Sequence, residues 1–479
     1  MRATPHLYAT VPAMSAMTQG ILLRLLACCS VCFVFQAPSW AEFRSADERF
    51  SMALTGDSII TRKLSVYDEP EYLQMIDLIR GADVAFTNLE VLFHDYEPYP
   101  MAVSGGTWMR ADPELAAELS WAGFDLLARA NNHTGDYGVE GMRLTTRHVR
   151  EAGLMGAGVG ESLAEAREAK FLETSKARVA LISLSSSFAP HMGAGASRGD
   201  MPPRPGLNPL RYDTTYEVTE NEFDRLKALG MSLGQFTNQD GEPRGLDKDK
   251  PDEMELFGRD FKLADNNRVR TTANEEDVAA IAAVVNNAKR LADFVIVTIH
   301  AHEGQKRSEP AEFLPVFARA MIDAGADVFV GHGPHALRGI EIYDGKPIMY
   351  SLGDFIFQNE TLLRLPYDNY AHYDLGGNSH LADFNDKRYK NDSAGFPANP
   401  EIWEAVVAVP VFENRELVEL ALHPITLGYG LPRQVRGRPM FADDKLGAKI
   451  INDLRQRSKP FGTKIVDRGG IGYVDLKKN

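Results

Sequence analysis

The stretch Ala326-Asp327-Val328-Phe329-Val330-Gly331-His332-Gly333-Pro334-His335 does most to limit what this chain can fold into. Its apolar run, Val328 to Val330, reads as a buried strand, and it stops at once on glycine, histidine, glycine, proline and histidine. A strand that ends in two imidazoles on a tight Gly/Pro turn is suited to hold a metal ion. Glycine lets the backbone turn sharply, and imidazole is the commonest protein ligand for metals.

The same arrangement recurs along the chain. Phe50 to Ile60 reads as a strand with Asp57 at its end, and Asp83 to Phe86 as a second that delivers Asn88 and Glu90. Phe124 to Ala130 runs into Asn131-Asn132-His133, and Phe294 to Ile299 into His300-Ala301-His302-Glu303. Val179 to Leu184 opens onto three serines. Helical spacing fills the gaps at Tyr72 to Arg80, Pro113 to Trp121 (Asp112 as N-cap), Gly141 to Ala152, Glu275 to Leu291 and Pro315 to Ala324. Alternating strands and helices predict a layered α/β fold, with polar residues at the carboxyl ends of strands as the place for chemistry.

Two stretches break the pattern. Residues 190–272 are rich in Gly, Pro, Asn, Asp and Arg and read as an insertion over one edge of the core, able to cover the site, with a short helix expected at Glu220 to Ala228. Residues 359–400 read as a second irregular insertion rich in Tyr and His. Hairpin strands are expected on either side of Asp344-Gly345, and Ile402 to Val411 and Val418 to Pro424 should pair before a tail with one helix near Leu446 to Arg455. The expected organisation is a core of 42–358 completed by 401–479.

Residues 1–41 read as a secretory signal peptide: an apolar run from Gly20 to Phe35, then Ser39-Trp40-Ala41 as a cleavage site. An uncleaved membrane anchor is the alternative. The expected location is periplasmic or secreted. Cys28, Cys29 and Cys32, all three cysteines of the chain, fall in this segment. After cleavage any metal must be held by His, Asp, Glu or Asn. The net charge of -14 argues against nucleic acid as a partner.

Collected, the strand-end residues are Asp57, Glu90, Asn132, His133, His300, His302, His332 and His335, and five of the twelve histidines stand among them. Carboxylate and amide oxygens mixed with imidazoles suit one or two divalent ions, with Mn, Fe or Zn favoured. Such a site polarises a phosphoryl or carbonyl oxygen and yields hydroxide near neutral pH, and an unligated histidine beside it can protonate a leaving group. His302 is the weakest member of the set, because strand alternation would turn either it or His300 away.

The ordered motifs Gly56-Asp57, Asn88-Leu89-Glu90, Asn131-Asn132-His133 with Asp136-Tyr137-Gly138, His300-Ala301-His302-Glu303, Gly331-His332-Gly333-Pro334-His335 and Tyr350-Ser351-Leu352-Gly353-Asp354-Phe355 resemble the CapA/PgsA family of poly-γ-glutamate capsule synthesis proteins. The resemblance spans about Phe50 to Phe357 and includes Arg204 to Arg211. It is similar in turn to the calcineurin-like metallophosphoesterases. The implied fold is an α/β four-layer αββα sandwich of the metallo-dependent phosphatase kind. The resemblance implies Asp57, Asn132, His300, His332 and His335 as metal ligands, Glu90 as the bridging carboxylate and His133 as proton donor. Asn88, Arg129, His302, Glu303, Arg204 and Arg211 are candidate substrate contacts.

Three positions depart from the phosphoesterase pattern. Ile59 stands where a histidine is expected, Glu90 replaces an aspartate, and Gly333-Pro334 widens the last histidine pair. One of two metal positions is therefore expected to be weaker or absent. The implied function is metal-dependent hydrolysis or transfer, at an amide or phosphoester, in the synthesis, export or release of an anionic polymer such as poly-γ-glutamate, alongside membrane-bound capsule proteins. A phosphoesterase acting on nucleotides and a non-catalytic export or tethering component are the alternatives.

Overall fold

The computed structural model describes residues 49–476. The apolar N-terminal run, its cysteines and the cleavage site lie outside the described residues. Two sheets carry the fold. The first is 10-stranded, with the parallel strands Phe50–Ile59, Val84–Leu89, Leu126–Ala128 and Met155–Ala157 on one side and the antiparallel strands Glu404–Glu413 and Glu416–Thr426 on the other. The second is 6-stranded, with Arg178–Ser185, Phe294–His300, Val328–His332 and Lys346–Met349 parallel at its centre.

Alternation along these strands builds the layers. Met52, Leu54, Phe86 and Leu126 of the first sheet and Leu181, Ile296, Val328 and Val330 of the second point into one shared core. Their neighbours Ala53, Ala85 and Leu127 face outward onto helices Pro70–Arg80 and Ala116–Ala122. Ala180, Val295, Val297 and Phe329 face outward onto helices Glu275–Lys289 and Phe313–Asp323. Side chains of a strand alternate between faces, so strands buried on both faces read as continuous apolar runs. The result is the four-layer αββα sandwich expected from the motifs. Each fully buried Leu or Phe adds about 1.5–3 kcal/mol to this packing.

The hairpin around Asp344-Gly345 forms as expected, with both residues at positive φ (47° and 72°), the conformation a two-residue turn requires. Asp112 does occupy an N-cap position, but its carboxylate does not cap. It pairs at 2.6 Å with the buried Arg110 instead, because a charged partner outcompetes a backbone N–H.

The stretch 190–272, read above as an insertion, holds the expected helix, longer at Glu220–Ser232, and also a 4-stranded sheet of Tyr212–Val218, Glu253–Leu256, Arg259–Leu263 and Arg268–Ala273 that the sequence pattern did not predict. Arg259–Leu263 and Arg268–Ala273 are largely exposed and show no clean apolar alternation, while the short Glu253–Leu256 does alternate and buries Met254 and Leu256 against Phe223 and Phe236. The segment 359–400 contributes helices Tyr367–His372 and Leu381–Tyr389. It is fixed to the core through the buried Glu360, which accepts two 2.6 Å bonds from Arg436.

Candidate metal centre

The parallel strands of both sheets end at the same edge of the sandwich. Asp57 comes from the first strand of the first sheet, Glu90 follows the second strand, and Asn132 and His133 follow the third. His300 and His332 close two strands of the second sheet in register with each other. Asp57, Glu90, His300 and His332 are all fully buried.

A close backbone contact positions the acids. A Cβ added to Gly56 would lie 1.7 Å from the carbonyl oxygen of Gly353. Only two glycines let these segments approach so closely. Beyond this point strand Phe50–Ile59 changes neighbour, from Glu404–Glu413 to Asp354–Phe357, and Asp57 pairs directly with Asp354. Asp354 was not among the residues singled out from the sequence, although the motif containing it was. Its Oδ1 lies 2.8 Å from Nδ1 of His335.

Three groups of donor atoms each fall within 4.8 Å of one another: Asp57, His300 and His332; Glu90, His302 and His335; and Asp57, His335 and Asp354. Asp57 Oδ1 stands 3.4 Å from His332 Nδ1 and 3.7 Å from His300 Nδ1. Glu90 Oε1 stands 3.7 Å from His300 Nε2, 3.8 Å from His133 Nε2 and 3.9 Å from His335 Nε2. Both Glu90 oxygens are buried without a hydrogen-bond partner, and so are Asn132 Oδ1 and Asp354 Oδ2. A buried carboxylate encircled by ring nitrogens and lacking any donor fits a cation, since an uncompensated buried charge costs several kcal/mol.

The electrostatics agree with ligand roles. Burial, then the neighbouring Asp57 charge, pushes Glu90 well above the usual carboxylate range. Burial lifts Asp354 to about 6. Burial also opposes the charge on Asp57, but hydrogen bonding to His332 and the nearby imidazoles outweigh it and hold Asp57 well below its ordinary value. Burial and the adjacent His302 keep His300 neutral, and burial and His335 bring His302 to about 3. Neutral imidazoles keep a lone pair free for a metal.

His302 faces the centre together with His300, with their Nε2 atoms 2.9 Å apart. The expected alternation does not apply because the strand ends at His300. Wholly buried Arg338 turns the chain there, donating to the carbonyls of Ala301 (3.1 Å), His302 (3.2 Å), Glu303 (2.9 Å) and Arg307 (2.9 Å). His335 adopts φ 53°, a left-handed conformation that costs a non-glycine residue about 1–3 kcal/mol. The Gly333-Pro334 spacing thus still delivers His335 to the cluster.

The remaining candidates take other places. Asn88 donates to Asp57 Oδ1 at 2.7 Å and accepts from Asn131 at 3.2 Å, so it orients a carboxylate. Glu303 accepts from Ser186 and Ser187 at 2.7 Å. Arg129 is buried against Thr146 and Met142, and burial lowers it to about 9. Arg204 donates to the Gly193 carbonyl at 2.8 Å, and Arg211 grips Asp277 at 2.7 Å. The structure brings neither Arg204 nor Arg211 to this cluster of candidate ligands. Asp136, within the Asp-Tyr-Gly motif, accepts from His133 Nδ1 at 2.7 Å and leaves Nε2 facing Glu90. Ile59, at the position where a histidine is expected, is buried and lines the mouth of the site; Asp354 stands on the adjoining strand.

The family model described as bacterial capsule synthesis protein PGA_cap matches residues 51–359. The uncharacterized protein y4sH of Sinorhizobium fredii is 39% identical over 440 residues, covering 89% of this chain and 93% of that protein. The PGA biosynthesis protein CapA of Bacillus subtilis is 26% identical over 332 residues, covering 65% of this chain and 64% of that one. The capsule biosynthesis protein CapA of Bacillus anthracis is 24% identical over 318 residues, covering 65% and 60%.

Proposed function

The chain belongs to the bacterial capsule synthesis protein family PGA_cap, and on that premise we propose that it hydrolyses or transfers a bond in an anionic polymer of the poly-γ-glutamate type at a metal centre. The single observation that carries the proposal is Glu90. It is fully buried, has no hydrogen-bond donor, and stands within 4 Å of three imidazoles.

In this reading Asp57, Asp354, Glu90, Asn132, His300, His302, His332 and His335 hold one or two divalent ions, with Mn, Fe or Zn suited to the mixed oxygen and nitrogen donors. Bound there, a metal ion polarises a carbonyl or phosphoryl oxygen and lowers the pKa of water. His133 is the proton donor to the leaving group through Nε2. Asp136 orients the ring by accepting a hydrogen bond from its Nδ1–H, which leaves Nε2 turned toward the site. Asn88 and the N–H of Gly333, 2.8 Å from Asp57 Oδ2, hold the Asp57 carboxylate in one orientation.

The N-terminal apolar run and Ser39-Trp40-Ala41 support export, with the mature protein working outside the cytoplasmic membrane beside membrane-bound capsule proteins. The relatives named for capsule and PGA biosynthesis support the polymer, while the donor set serves an amide or a phosphoester equally well.

Elemental analysis of the purified protein is expected to find one or two transition-metal ions per chain. With metal present, poly-γ-glutamate cleavage and a generic phosphoester are assayed in parallel. His133→Ala should lower turnover about 10²- to 10⁴-fold with metal retained. A protein that binds no metal after exposure to Mn, Fe and Zn salts removes the enzymatic reading, and unchanged turnover in His133→Ala removes the acid.

A further inference from the structure

Three adjoining cavities lead out from the metal cluster. The innermost, about 120 Å³, is lined by His133, His302 and His335 together with Arg307, Arg388 and Phe396. The next, about 340 Å³, shares Arg307, Arg388 and Phe396 and adds Tyr373. The third, about 310 Å³, shares Arg388 and Tyr373. Arg388 therefore borders all three, and Arg307 borders the two nearest the metal ligands.

Neither guanidinium is neutralised. Arg307 donates to the Pro334 carbonyl at 2.9 Å, and Arg388 donates to the Thr107 hydroxyl, both uncharged acceptors. Arg388 also lies over the rings of Tyr389 and Phe384, and Arg307 over Phe396, which fixes their planes. Among the described residues neither makes an ion pair. In a chain with 66 acids against 52 basic residues, both of these arginines stand without a carboxylate at the mouth of one site. Arg433 and Arg436, a short way off, are each paired with acids.

A guanidinium presents two parallel N–H groups matched to a carboxylate or phosphate, and it binds such an anion best when its own side chain is held still. We infer that Arg307 and Arg388 clamp a second anionic group of the ligand, one repeat or group away from the bond that lies over His133 and the metal ligands. The ligand class is thus a chain with at least two anions rather than a small monoester. This inference rests on the proposed site, since it takes the innermost cavity as the place of reaction. The aromatic segment 359–400, which supplies Arg388, Tyr373 and Phe396, becomes the specificity element of the site.

The test uses the full chain, metal-loaded and chelator-treated, with oligo-γ-glutamate, inorganic tripolyphosphate and inorganic phosphate as probes in titration calorimetry. Arg307→Gln and Arg388→Gln should each weaken the oligo-γ-glutamate about tenfold, the loss expected for one charged hydrogen bond, with metal content and inorganic phosphate binding unchanged. Arg388→Lys should recover part of the loss. If tripolyphosphate alone is weakened, the clamped group is a phosphate and not a carboxylate. If the chelated parent still binds a polyanion and both variants lose it, the clamp stands while the metal centre falls. Variants that bind every polyanion as the parent does, or a folded parent that binds none, overturn the clamp. Arg307→Gln, at an exposed position on a different segment from Arg388, keeps the result readable if Arg388→Gln unfolds.

Discussion

Nδ1 of His335 lies 2.8 Å from Oδ1 of Asp354. The same nitrogen is 3.8 Å from Oδ2 of Asp57, so one imidazole stands between two buried acids on neighbouring strands. That arrangement places the Asp354 carboxylate beside the cluster, near the position where Ile59 offers none. Asp354→Ala is expected to lower bound metal, from two ions toward one if the parent holds two, as read by elemental analysis. A variant with the parent's metal content would show that Asp354 only props His335.

Glu90→Gln separates charge from shape. In the chelated protein the substitution removes a buried, unpartnered carboxylate and should raise the melting temperature. In the parent, metal at a hundredfold over Kd adds about 2.7 kcal/mol, and Glu90→Gln should lose most of that gain. Differential scanning calorimetry with and without metal reads both effects. A variant that melts lower than the parent when both are chelated contradicts the account.

Arg338→Met removes the donor that gathers four carbonyls beneath His302. The expected cost is about 3 kcal/mol in urea unfolding, with weaker metal binding as the 301–307 loop loosens. Unaltered metal affinity would mean the loop holds its shape without this side chain.

Asp277 couples the acid stability of the fold to the Arg204–Arg211 segment. Burial alone would raise its pKa, but bonds from Arg211 and Arg167 outweigh burial and hold it below the ordinary range. A depressed folded pKa gives stability that is present above the unfolded value and is lost as pH falls through the folded one. Asp277→Asn should therefore cost about 2 kcal/mol at pH 7 and flatten the acid side of the stability profile. Equal losses for parent and variant between neutral and acid pH would refute this.

The layers were readable because their signal is the apolar run. Val328 to Val330, Phe294 to Ile299 and Phe50 to Leu54 are buried on both faces, and their sequence says so. Most of the cluster was readable because its members sit where those runs stop. Contacts made through the main chain were less so. Nothing in His300-Ala301-His302 tells that Arg338 will take the loop's carbonyls, and Asp354 enters through a pairing between distant segments. The sheet within 212–273 was hard to read because strands such as Arg268–Ala273 are mostly exposed, with one valine among arginines and threonines.

The Gly56–Gly353 contact gives the centre a fixed gauge. The separation of Asp57 from Asp354 follows from the thickness of two peptide backbones and not from the reach of flexible side chains. Ions of different radius then meet the same frame. Exchanging one transition metal for another should change how tightly the frame is filled, while the spacing between its acids stays constant.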